Sequence, residues 1–295
     1  MGLNGTDVAR EAADLVLLDD NFASIVVGIK EGRLLFNNLK KSILYTLTHL
    51  IPEILPVFLW FFTGAPLAIG AIPVIMFDLW TEMLPAIALA FEKEEYGIMQ
   101  VPPRNVATDK LTSTPLLLYV YLQAGMVEAG VNLLFYFIVF QDFGISPQEV
   151  ITMNNEFFPS PTGETYINQN GREYDAKQQE DILGTIQGTW YMGMVMGQVA
   201  HIMFCRTSTV SIFVHGFFCN NYINGSIVLE ILMASFATYC PGWQTEVMMV
   251  RNPNSLYIFY IFLMNFAILG LMTETRKLYS RNYPDTWCNK NIWGW

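Results

Sequence analysis

Long apolar runs alternate with short polar stretches along this chain. Six runs reach membrane-spanning length, near residues 42–63, 67–91, 115–141, 183–205, 222–240 and 255–273. The fourth and fifth are weaker, because polar residues interrupt both. The pattern predicts an all-α polytopic membrane bundle of six transmembrane helices. An even number of crossings places both termini on one side. The first forty residues read differently. Gly2, Gly5, Thr6 and Asp7 suit a turn that caps a short helix near 8–13. "DLVLL" at 14–18 is a continuous apolar run closed by Asp19 and Asp20, as in a strand buried on both faces of a parallel sheet. Residues 21–41 then read as a helix running toward the first span. A doubly buried strand needs neighbours, so the opening segment is expected to be a short α/β edge of a larger domain.

Composition agrees with a membrane protein. The chain has 295 residues, 53% of them hydrophobic, and only 14% are charged, against about 25% in soluble domains. No apolar core of a signal peptide occurs early in the chain. The net charge of −10 matters less than where the basic residues stand. Thirteen of the sixteen Lys and Arg residues fall on the side of the two termini. Arg172, Lys177 and Arg251 are the other three. The positive-inside rule therefore predicts that both termini are cytoplasmic. The opposite side carries one large polar, acidic loop, near 142–182. Cys205, Cys219, Cys240 and Cys288 offer no outward-facing pair, so four free thiols are expected. A lipid bilayer is the implied environment; no nucleic-acid partner is expected.

Chemistry concentrates where polar residues interrupt the first two spans. "TLTHLIPEILP" at 46–56 places two helix breakers and a carboxylate inside an apolar run. A proline removes one helical hydrogen bond and collides with the carbonyl four residues back. Pro52 should free the carbonyl of Thr48, and Pro56 that of Pro52. Freed carbonyls near a bilayer midplane can face a cation. Glu53 adjoins the break, and an intramembrane carboxylate is costly unless it works. On the second span, Asp78, Thr81 and Glu82 are spaced i, i+3, i+4 and should share one helical face. Two carboxylates and a hydroxyl are hard oxygen ligands, suited to an alkali or alkaline-earth cation or a proton. Antiparallel packing across the short connection at 63–66 should bring Glu53 near Asp78 and Glu82.

Particular stretches resemble one family closely. "MGLNGTDVAREAADLVLLDDNFASIVVGIKEGRLLFNNLKKSILYTLT" and "IPE" are similar to the P-type cation ATPases, within them the sodium/potassium and proton/potassium pump alpha subunits. "FDLWTEMLPAIALAFEKEE", "PPRN" at 102–105, "TYCPG" at 238–242 and "ETRKL" at 274–278 extend the resemblance. It implies that 1–20 is the C-terminal edge of a phosphorylation domain, 21–41 a cytoplasmic stalk helix, and 42–295 the C-terminal transmembrane domain. It implies an ATP-driven monovalent-cation antiporter in which Glu53, Asp78, Thr81 and Glu82 bind the cation. It also marks Tyr45, Gln198 and Glu230 as cation-path candidates. Plasma-membrane residence and a beta subunit docked on 142–182 are further implications, although the SYGQ motif that holds that subunit is not evident.

The departures from the family are equally specific. No DKTGT is present, and its aspartate takes the phosphoryl group in these pumps. Alone, the chain is expected neither to hydrolyse ATP nor to bind a cofactor; Mg-ATP belongs to the complete pump, whose catalytic portion is an implied partner. Met1 aligns with a methionine internal to the family, so a fragment is expected, or else a truncated non-catalytic relative that binds or regulates full-length pumps. Where the pumps read TLTSNIPE or TLTKNIPE, this chain has His49 and Leu50. His201 stands where an aspartate follows "GQVA"-like residues, and Trp80 replaces a glycine. Two imidazoles at sodium positions point to altered, proton-linked selectivity with fewer ions. Glu128 in the third span is expected to serve as a hydrogen-bonding residue of the bundle.

Overall fold

The computed structural model describes residues 5–14, 16–17, 21–95, 97–100, 102–105, 109–153 and 158–294. Helix α1 spans Asp7–Glu11, with the Thr6 hydroxyl accepting from the Ala9 amide at its start. The expected strand at 14–18 includes Leu15 and Leu18, which lie outside the described residues. Val16 and Leu17, which are described, belong to no strand. Among the described residues the only strands are β1 (Tyr166–Ile167) and β2 (Glu173–Tyr174), an antiparallel pair in the 142–182 loop.

Helices dominate the other described residues. They are α2 (Ala23–Thr48), α3 (Leu50–Thr63), α4 (Ala71–Phe91), α5 (Thr114–Asp142), α6 (Pro147–Thr152), α7 (Ala176–Cys205), α8 (Ile212–His215), α9 (Asn221–Tyr239) and α10 (Ser255–Asn282). Four helical stretches among the described residues are long and apolar enough to cross a membrane: α2 with α3, α4, α5 and α10. Helices α7 and α9 coincide with the fourth and fifth apolar runs but carry more polar residues. This is a multi-pass membrane protein.

Prolines shape the two helices that matter most. The path from α2 to α3 breaks at His49, one turn ahead of Pro52. In α4, residues Phe77–Glu82 form a wide turn with five-residue hydrogen-bond spacing. Pro85 follows, four residues after Thr81, so its ring crowds the Thr81 carbonyl and favours an opened turn. Helix α3 closes at Gly64, whose φ of 76° lets its amide reach the Trp60 carbonyl.

Helix α7 is the central post. It packs against α10, α5, α9 and α2, and its middle is buried on every side. Large apolar side chains face outward instead, among them Phe58, Phe61, Phe62, Leu79 and Met83. Glu128, Asn132, Gln198, His201, Glu230 and Asn265 face inward. An apolar exterior around a polar interior is the arrangement lipid favours. Helix α2 clasps the end of α4. The Asn38 amide donates to the carbonyls of Ala90 and Glu92, and the Ser42 hydroxyl to that of Ala86. Lys41 pairs with Glu95 at 2.9 Å. The carboxylate of Glu95 also accepts from the amides of Ser208, Thr209 and Val210.

Candidate cation site

The break in α2–α3 and the wide turn of α4 face each other, and His49 lies between them. Its Nδ1 is 2.6 Å from Glu82 Oε2. Its Nε2 is 3.3 Å from Asp78 Oδ1 and 3.8 Å from Glu53 Oε2. The ring packs edge-on against Phe77, with centroids 5.3 Å apart. His49, Asp78 and Glu82 together present a nitrogen and two oxygens close enough to share one ion. The structure thus gathers Glu53, Asp78 and Glu82 around one imidazole. The histidine position was legible in the sequence, but its bridging of three acids depends on how the two helices pack.

Thr81 stands on the same wide turn as Asp78 and Glu82. It is buried and its hydroxyl donates to the Phe77 carbonyl at 2.8 Å. Glu82 is buried, while the Asp78 side chain is 45% exposed.

The two carbonyls freed by the prolines have neighbours on other helices. The Pro52 carbonyl, which was expected to face a cation, accepts from the Trp190 indole at 3.0 Å. Trp190 on α7 had no signal in the sequence, since it lies 138 positions away. The Thr48 carbonyl lies against Gly125 of α5. A Cβ at Gly125 would sit 2.9 Å from that oxygen. Pro52 and Pro56 are both buried.

The remaining candidates form a second polar layer. Gln198 donates to Glu128 at 2.9 Å. His201 has Nδ1 3.6 Å from Glu128 Oε1 and Nε2 3.4 Å from the Tyr119 hydroxyl. Tyr45 stacks near His201, with ring centroids 6.3 Å apart. Glu230 on α9 is fully buried, and neither carboxylate oxygen has a hydrogen-bond partner among the described residues. Trp80 stacks on Trp243 at 5.7 Å, nearly parallel. Hence Gln198 and His201 gather around Glu128, with Tyr45 stacked beside His201.

Acids from α3 and α4 thus meet at a helix break within apolar helices. The family model described as cation transporting ATPase, C-terminus, matches residues 66–279. The chain belongs to that family. It is 36% identical over 294 residues to the sodium/potassium-transporting ATPase subunit alpha of Drosophila melanogaster. It is 36% identical over 293 residues to the alpha-2 subunit of Rattus norvegicus, and 36% over 297 residues to the potassium-transporting ATPase alpha chain 2 of Homo sapiens. Each comparison covers 99% of this chain, which spans 28% of the length of each relative. As a member of this cation-transporting ATPase family, the chain corresponds to the membrane C-terminal region of the alpha subunits.

Proposed function

We propose that this chain is the transport portion of an ATP-driven monovalent-cation pump of the sodium/potassium or proton/potassium kind. The single observation that carries the reading is the meeting of Glu53, Asp78 and Glu82 at His49. Three acids from two spans would repel one another in low dielectric without a cation or a proton among them. Glu53, Asp78 and Glu82 bind the transported ion, and Thr81 completes the shell with its remaining lone pair. Six helices cross the bilayer, because the polar residues of α7 and α9 point into the bundle rather than toward lipid. Both termini lie in the cytoplasm of a plasma-membrane protein. Helix α2, through Asn38 and Ser42 on α4, passes movement from the ATP-hydrolysing portion to the site. That portion contributes the phosphorylated aspartate and Mg-ATP, since residues 1–295 contain no DKTGT. The described parts of the 142–182 loop, with the capped α6 and the hairpin, are the surface for a beta subunit.

His49 sets the selectivity. Both ring nitrogens face carboxylate oxygens, a placement that an imidazolium satisfies by donating from each. A cation entering the site competes with the ring for the same oxygens, so fewer alkali ions fit and proton exchange accompanies transport. The same observation favours a second reading, a non-catalytic partner of full-length pumps whose ion position is filled by its own side chain. Replacing His49→Ser and Leu50→Asn in an assembled pump tests the first reading. It predicts a gain in sodium or potassium affinity; no gain sinks the selectivity argument. Co-purification of the chain with a full-length alpha subunit, without cation-stimulated turnover of its own, would favour the second.

A further inference from the structure

Glu92, His215 and Cys219 meet where α4 and α7 end, outside the site described above. One ligand atom from each lies within 4.8 Å of the other two. The Glu92 side chain is fully buried. His215 Nε2 stands 3.0 Å from Glu92 Oε1. Gly216, with φ of 96°, turns the chain after α8 and brings Cys219 back beneath His215. The Cys219 thiol lies 3.2 Å from the His215 carbonyl and 3.1 Å from that of Gly216. Arg206 spans both carboxylate oxygens of Glu92, with Nε 2.9 Å from Oε2 and a terminal nitrogen 3.1 Å from Oε1. That terminal nitrogen is 3.4 Å from the Cys219 sulfur. Asn220 donates to Glu92 Oε2 at 3.0 Å.

We propose that Glu92, His215 and Cys219 form a binding site for a zinc-like divalent transition metal. A carboxylate, an imidazole and a thiolate suit zinc or cobalt, whereas magnesium and calcium prefer oxygen alone. Tetrahedral ligands at ~2.0–2.3 Å from a metal stand about 3.5 Å apart, so the Glu92–His215 pair opens slightly from 3.0 Å while the Cys219 sulfur, within 4.8 Å of both, closes by no more than about an ångström. Oε1 of Glu92 and Nε2 of His215 turn to the metal. Oε2 keeps the Arg206 Nε–H and Asn220, which fix the carboxylate's orientation, while the Arg206 terminal nitrogen yields Oε1 and the sulfur to the metal. The Cys219 S–H bond breaks, its proton passes to water, and a sulfur–metal bond forms. His215 and Cys219 are only partly covered, which leaves a fourth position for water. A bound metal would fasten the 206–220 segment to the end of α4.

The purified full chain in detergent micelles, kept reduced, is titrated with cobalt(II) as a visible stand-in for zinc. One cobalt per chain is expected, with tetrahedral visible absorption and a thiolate-to-cobalt band in the near ultraviolet. Zinc should displace it. Cys219→Ser should abolish the thiolate band, and His215→Gln should weaken binding by about ten-fold or more. A Cys240→Ser, Cys288→Ser double variant should keep the band. Absence of a thiolate band in the natural chain, or its persistence in Cys219→Ser, overturns the proposal. Should Cys219→Ser fail to fold, alkylation mapped by mass spectrometry decides: stoichiometric zinc must protect Cys219, and unchanged labelling refutes the site.

Discussion

His49 Nδ1 lies 2.6 Å from Glu82 Oε2, joining the break between α2 and α3 to the wide turn of α4. Neither residue is placed there by an ordinary helix. Pro52 opens the first element and Pro85 the second, and the openings face one another. A histidine between acids acts as an internal counter-group, which the bundle loses if the ring is removed.

His49→Ser is therefore expected to destabilise the chain by about 3 kcal/mol in cation-free buffer, because it leaves buried acids uncompensated. Added alkali or divalent cations should restore part of the loss. Thermal unfolding in micelles, with and without cation, checks this. A melting temperature that stays cation-independent in the variant would count against an ion at this position.

Trp190→Phe keeps most of the bulk but removes the N–H that the Pro52 carbonyl accepts. The carbonyl is buried and has lost its helical donor to Pro56, so the loss is expected to be about 1–3 kcal/mol. Denaturant titration of the variant measures it. Equal stability would mean that water replaces the indole.

Gly125→Ala introduces a Cβ 2.7 Å from the Val120 carbonyl and 2.9 Å from that of Thr48. Backbone atoms on two helices must then move, at a cost of about 1–3 kcal/mol. The displacement falls on the residue before His49, so the variant should also weaken cation binding in an assembled pump. Neutral behaviour in both assays would show that α5 does not press on the break.

Glu95 supplies a pH prediction from outside the spans. Burial opposes its charge, but Lys41 and the amides of Ser208 and Thr209 outweigh that and hold its carboxyl well below the ordinary range. A depressed folded pKa contributes stability above the unfolded value, about 4.3. That contribution is lost as pH falls through and below it. Hydrogen exchange at the Ser208 and Thr209 amides should accelerate below about pH 4, after correction for the intrinsic rate. Glu95→Gln should show fast exchange already at neutral pH.

The helical architecture was legible because apolar runs of spanning length have few other uses. The acids were legible too, since carboxylates and prolines inside such runs violate their pattern. Geometry was less so. The wide turn at Phe77–Glu82 escaped the sequence reading, which assumed an α-helix there. The Pro52 carbonyl was read as open because Trp190 is distant in sequence. Glu128 was expected to hydrogen-bond within the bundle, and it does so with Gln198; its neighbour His201 appeared only with the packing of α5 on α7. Helices α7 and α9 were read as weak spans for the same reason that their interiors are polar: they line the centre of the bundle.

The central claim is that acids on neighbouring spans jointly hold the transported ion. It is tested most directly by replacing the matching segment of a sodium/potassium-transporting alpha subunit with residues 1–295 and measuring cation-stimulated ATP hydrolysis. Glu53→Gln, Asp78→Asn and Glu82→Gln should each raise the half-activating cation concentration by about ten-fold, a loss of about 1.4 kcal/mol, at unchanged protein level. A triple variant with undiminished cation-stimulated turnover would contradict the account.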